Sequence, residues 1–117
     1  MKQTEHNLQS ACIKWFRLQY PKLALNLFAI PNGAKRSNFA GRWYKKEGLT
    51  KGVADCYLAV PSTDLHGAFI EFKAPKGTQT EAQRDFEKAM LLHDYAYWLV
   101  NDFDDFVNKI NNYIGAK

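Results

Sequence analysis

Apolar residues recur along this chain with two distinct periods. From Glu5 to Tyr20, the apolar or small residues Leu8, Ala11, Cys12, Trp15 and Phe16 fall on one face of a helix, with Thr4 as N-cap and Pro21 closing the far end. Leu23 to Ile30 is short and apolar and runs into Pro31-Asn32-Gly33, which predicts a strand followed by a turn. Ser37 to Glu47 predicts a short helix stopped by Gly48. Asp55 to Val60 and Ala68 to Lys73 read as two strands joined by PSTDLHG, Pro61 to Gly67, whose Pro, Ser, Asp and Gly mark a hairpin loop. Beyond the break at Ala74-Pro75-Lys76-Gly77, Thr80 to His93 carries Ala82, Phe86, Ala89, Met90 and His93 on one side of a helix that opens on a Thr80-x-x-Gln83 capping box. Tyr95 to Val100 is a further strand, and Asp102 caps a last helix whose apolar face is Phe103, Phe106, Val107, Ile110 and Ile114.

The order αβ(α)ββαβα predicts an α/β fold with a mixed four-stranded sheet flanked by helices. Three strands form an antiparallel meander, and a crossover through the Thr80 helix adds a parallel fourth. No repeat or low-complexity linker divides the chain, so one domain over 1–117 is expected.

Composition sharpens this picture in two places. With 117 residues, 46% of them hydrophobic and 15% aromatic, the chain can bury a core without disulfides or a structural metal. Cys12 and Cys56 fall on predicted apolar faces and suit buried thiols, while His6, His66 and His93 match no zinc-ligand spacing. No apolar run approaches membrane-spanning length, and the start MKQTEHNLQS lacks the layout of a signal peptide, so a cytoplasmic location and no membrane contact are expected. The net charge of +4 is unevenly placed: Lys35, Arg36, Arg42, Lys45, Lys46 and Lys51 stand against the single acid Glu47. Removing that segment from the totals of 16 basic and 12 acidic residues leaves 10 against 11, so the excess is local. A charge run is usually a solvated face. Phe39, Trp43 and Tyr44 are interleaved with this one, a mixture equally suited to a phosphate-backbone surface.

Three charges interrupt the hairpin strands. Alternation puts Asp55, Tyr57 and Ala59 on one face of the first strand and Phe69, Glu71 and Lys73 on one face of the second. A hairpin symmetric about Asp64 places Asp55 opposite Lys73 and Tyr57 opposite Glu71, gathering all three charges at one end of one face. The plain explanation is an Asp55–Lys73 cross-strand ion pair with Glu71 turned to solvent. A second carboxylate beside the first argues for more, because like charges that close repel unless a cation lies between them. Two carboxylates with a backbone carbonyl and water form the hard oxygen set that holds Mg²⁺, and an ammonium alongside can orient water and offset charge on a phosphate.

Asp-x15-Glu-x-Lys on adjacent strands resembles the catalytic pattern of the PD-(D/E)xK nucleases. With IPNGAKRS after the first strand, KGVAD opening the second, GAFIEFK as the third and KGTQTEAQ leading into the next helix, the chain resembles the VRR-NUC family, the virus-type replication and repair nucleases, from Glu5 to about Ile114. That resemblance implies a restriction-endonuclease-like core. It also implies that Asp55, Glu71 and the Phe72 carbonyl are metal ligands for Mg²⁺ or Mn²⁺, that Lys73 positions or activates water, and that Glu5 and Gln83 reach the same site. Gln83 is equally explained by capping, and Glu5 by favourable charge in a first helical turn. Lys35 and Lys76 suit phosphate contacts and suit plain solvation as well. Ala54 stands where the family usually has proline, a position that shapes the strand without ligating. The implied activity is a metal-dependent DNA endonuclease, structure-selective on branched DNA such as four-way (Holliday) junctions. The family further implies a homodimer and a role in DNA repair in a bacterial or phage-infected cell. Three other readings stand beside it: a flap, nick or duplex nuclease, an inactive DNA-binding module of the same fold, and a protein-binding domain using the aromatics around Trp43.

Overall fold

In the computed structural model, which describes residues 4–31 and 47–115, the first helix is α1, Glu5–Gln19. The Thr4 hydroxyl accepts from Asn7 N–H at 2.9 Å, Glu5 lies in the first turn and Arg17 in the last. Leu8, Cys12 and Phe16, spaced by four, are its buried stripe, whereas Ala11 is exposed.

The expected strand over Leu23 to Ile30 divides in two. Pro21–Asn26 forms a 3₁₀ turn, and only Leu27–Ala29 pairs as strand β1. Proline at the first position presets a helical φ, and the Leu and Ala that follow have no β-branch to resist it. The helix expected over Ser37 to Glu47 lies almost wholly outside the described residues.

Strands β2, Cys56–Leu58, and β3, Ala68–Phe72, form the hairpin, and helix α2, Glu81–Leu92, crosses over to β4, Ala96–Val100. Helix α3, Phe103–Gly115, follows, capped by the Asp102 carboxylate, which accepts from Asp105 N–H at 2.7 Å. The sheet order is β1-β2-β3-β4, antiparallel except for the β3–β4 pair. The α/β class and the mixed four-stranded sheet are as the sequence predicts.

Register is where the sequence misleads. Cys56 pairs with Ile70, Tyr57 with Phe69 and Leu58 with Ala68, so the hairpin turns about Thr63 and the pairing is two residues from the symmetric expectation. An even slip preserves which face each side chain takes but changes its neighbour. Extended by one residue, this register sets Asp55 opposite Glu71, not Lys73.

The two sheet faces are filled differently. Cys56, Leu58, Ala68, Ile70, Phe72 and Val100 are buried against α1 and α3, whose Leu8, Cys12, Phe16, Phe106, Ile110 and Tyr113 complete the core. Fully burying a side chain such as Phe16, Phe72 or Phe106 stabilises by about 1.5–3 kcal/mol each. Tyr113, not part of the expected apolar face, buries its ring and donates its hydroxyl to Val60 O at 2.7 Å. The other face carries Tyr57, Phe69 and Tyr97 under α2, with Phe86 edge-on to Phe69 at 5.1 Å between centroids. Helix α2 has no fully buried residue, and its expected Ala89 and His93 are exposed. That lighter covering leaves room for Asp55, Glu71 and Lys73 at the C-terminal end of β3.

Candidate active site

Asp55 precedes β2, and its backbone is still paired with the edge strand: Ile30 N–H donates to Asp55 O at 2.8 Å. On the other side the ladder is closed by a side chain. Asp55 Oδ2 accepts from Phe72 N–H at 2.7 Å, where the backbone of the diverging β2 would otherwise accept. In a strand the N–H and C=O of one residue point to the same edge. Lys73 N–H turns to β4 and donates to Val100 O at 2.9 Å. The Phe72 carbonyl therefore faces the Asp55 side, beside the two carboxylates.

Glu71 is 3% exposed and Lys73 is 8% exposed, so the charges that interrupt the strand are withdrawn from water. The ion pair that would explain them is not formed. Among the described residues the ion pair present is Lys109–Asp105 on α3, and Lys73 makes none with Asp55 or Glu71. The acids interact with each other instead. Burial raises the Asp55 carboxyl above its ordinary value, opposed by the Phe72 N–H. Burial first, and then the Asp55 charge, push Glu71 up to about 8. Lys73 favours ionisation of both acids and is outweighed. Glu71 Oε2 accepts from Gln83 Nε2 at 2.9 Å, while the buried Oε1 finds no protein donor. A buried carboxylate oxygen without a donor, next to a second carboxylate, fits either a shared proton or a cation.

Gln83 makes a capping contact and a Glu71 contact at once. It completes the α2 capping box, with Thr80 N–H donating to its Oε1 at 2.9 Å, and it donates from Nε2 to Glu71. Glu5 approaches from α1: its Oε2 accepts from Ala74 N–H at 3.3 Å, and its charge raises both acids. It stands at the margin, since among the described residues no group of three or more His, Cys, Asp or Glu gathers at one point. Gly52 fixes the approach to Asp55. At φ +90 it lies against the backbone of Ala82, where no side chain fits.

Lys51 and Lys76 are exposed. Lys35, Arg36, Arg42, Lys45 and Lys46 lie outside the described residues. Tyr97 was not singled out by the sequence. It shares the Glu71 face from β4, and its hydroxyl, pushed up to about 12 chiefly by burial, contacts Gln79. Only strand alternation within Tyr95 to Val100 hinted at it. Cys12 and Cys56 are buried free thiols, both pushed up to about 12 by burial, which suits packing and not reactivity. Among the described residues no helix is long and apolar enough to cross a membrane.

No family model matches the chain and no curated protein matches it. Among solved structures it is similar to a "VRR_NUC domain protein", at 21% identity and a TM-score of 0.86, covering 99% of this chain and 92% of that one. At that score over nearly the whole chain, this chain has the fold of a VRR_NUC domain.

Proposed function

We propose that this protein is a metal-dependent DNA endonuclease. The observation that carries the reading is the Asp55–Glu71 pair: two mutually opposed carboxylates, Asp55 half-buried and Glu71 buried, with no salt bridge to a cation among the described residues, one Glu71 oxygen lacking a protein donor, and a buried lysine on the same strand face. The resemblance of motifs and the shared fold support it independently.

The donor set fits Mg²⁺ or Mn²⁺. Asp55, Glu71 and the Phe72 carbonyl would hold the ion, with water completing an all-oxygen set. When bound, such an ion supplies Lewis acidity toward a phosphoryl oxygen and makes bound water more acidic. The protein's own groups do the rest. Gln83 orients Glu71. Lys73 orients the attacking water and offsets charge building on the phosphate. Water attacks phosphorus in line, the new P–O bond forms as the P–O3′ bond breaks, and the products are a 5′-phosphate and a 3′-hydroxyl. Lys51, Lys76 and the basic run Lys35, Arg36, Arg42, Lys45 and Lys46 would hold the phosphate backbone without reading bases.

Branched DNA is the substrate class we favour, with a four-way junction first. A homodimer would present two cutting sites to a two-fold substrate. The test is purified protein with labelled four-way junction, flap and linear duplex, each with Mg²⁺, Mn²⁺ or EDTA. Cutting of the junction alone supports the full reading, and cutting of flap or duplex redirects the substrate class. Asp55→Asn, Glu71→Gln and Lys73→Ala are each expected to abolish cleavage while retaining DNA binding. Unchanged cleavage in all three ends the catalytic assignment.

A further inference from the structure

We propose that the backbone N–H of Thr80 positions Glu71 through Gln83, so that the first turn of α2 and the metal carboxylate behave as one unit. The inference rests on the reading of Asp55 and Glu71 as cation-holding acids, and it goes beyond the capping role of the box.

Gln83 has one amide and two obligations. Its Oε1 accepts from Thr80 N–H at 2.9 Å, and its Nε2 donates to Glu71 Oε2 at 2.9 Å. An amide turned by half a rotation would present oxygen to the carboxylate and NH₂ to a backbone donor, wrong at both ends. The Thr80 N–H therefore selects the orientation that gives Glu71 a donor. The Thr80 hydroxyl makes a separate bond, accepting from Gln83 N–H at 3.1 Å, which fixes the backbone of the turn and not the amide. Glu71 Oε2 is thereby held, leaving Oε1 and the Asp55 side open toward a ligand. Partners of this kind set the orientation of ligating carboxylates, and their loss costs about 10- to 100-fold in metal affinity.

The two Thr80 bonds can be removed separately. Thr80→Ser keeps both and is expected to behave as wild type. Thr80→Ala loses the hydroxyl but keeps the N–H: its melting temperature falls, and its Mn²⁺ affinity, read by calorimetry with the metal alone, stays within about twofold. Thr80→Pro suits the local φ of −77 and removes the N–H as well; its Mn²⁺ affinity is expected to fall by about 10- to 100-fold. Gln83→Asn, one methylene too short to span both partners, gives the same loss without a proline in the chain. Affinities of the Pro and Asn variants within about twofold of wild type would overturn the proposal. If wild-type protein binds no Mn²⁺, the metal reading fails, and the coupling is decided in metal-free protein by NMR. The Gln83 side-chain amide protons are expected to exchange slowly in wild type and Thr80→Ala and at solvent-like rates in Thr80→Pro. Equal exchange in all three would refute the positioning role.

Discussion

Metal-free protein is expected to lose stability as pH rises from mildly acidic to mildly alkaline, the reverse of the usual behaviour of a paired carboxylate. Glu71 is raised from an ordinary 4.5 to about 8 by burial and by the neighbouring Asp55. The folded state thus keeps a proton that the unfolded chain releases. Stability from this group is complete below the unfolded value and declines as pH climbs toward the folded one. Each pH unit of that interval is worth about 1.4 kcal/mol, so the loss between about pH 5 and about pH 8.5 is about 4 kcal/mol. Asp55 is raised as well and faces the same proton, so the pair is counted once. Against a typical total of about 5–15 kcal/mol the effect is large, equivalent to about 15 °C in melting temperature for a chain of this length. The assay is thermal unfolding in EDTA across that range, for wild type and Glu71→Gln. The variant keeps an acceptor for Gln83 and removes the titrating group, so its profile is expected to be flatter and its melting temperature at the alkaline end higher. Millimolar Mg²⁺ is expected to restore wild type there and to leave the variant unmoved. A wild-type profile in EDTA that is flat or rises with pH, or a variant with the wild-type slope, would refute the reasoning.

Other outcomes follow from single contacts. Gly52→Ala places a methyl against the Ala82 backbone at a positive φ and is expected to destabilise by about 2–3 kcal/mol in urea unfolding, displacing the approach to Asp55. Tyr113→Phe removes the bond to Val60 O and is expected to cost about 1–2 kcal/mol by the same measurement. Lys51→Ala and Lys76→Ala, both at exposed positions, are each expected to reduce the slope of log DNA affinity against log salt by about 1, with little change between sequences.

What could be read in the sequence was what is decided locally. The Thr80–Gln83 box and the Asp102 cap form because side chain and backbone donor lie three residues apart whatever else the chain does. Strand alternation correctly put Asp55, Glu71 and Lys73 on one face, since the side-chain period is independent of the partner. The partner itself was not legible. Pro61 to Gly67 admits more than one turn centre, and the one taken sets Ile70 opposite Cys56. That two-residue difference sets Asp55 opposite Glu71, where the symmetric register set it opposite Lys73, and so tightens the pairing of the two acids. The 3₁₀ turn before β1 was equally hidden, because an apolar run of that length suits either form until Pro21 and the packing against α1 decide it. The bond from Gln83 to Glu71 joins elements separated by a loop and could be suspected only from the family resemblance.

The Phe72 amide answered by the Asp55 carboxylate gives that acid a second employment, as a mason's keystone in the rim of the sheet. Under the proposed function, a lineage that abandoned cleavage would still be pressed to retain it, since discarding it strands a peptide hydrogen. The Lys73 ammonium forms no salt bridge among the described residues and would be freer to drift. Within the proposed function, the amine at that place, more than the aspartate, would mark whether the scissors still cut.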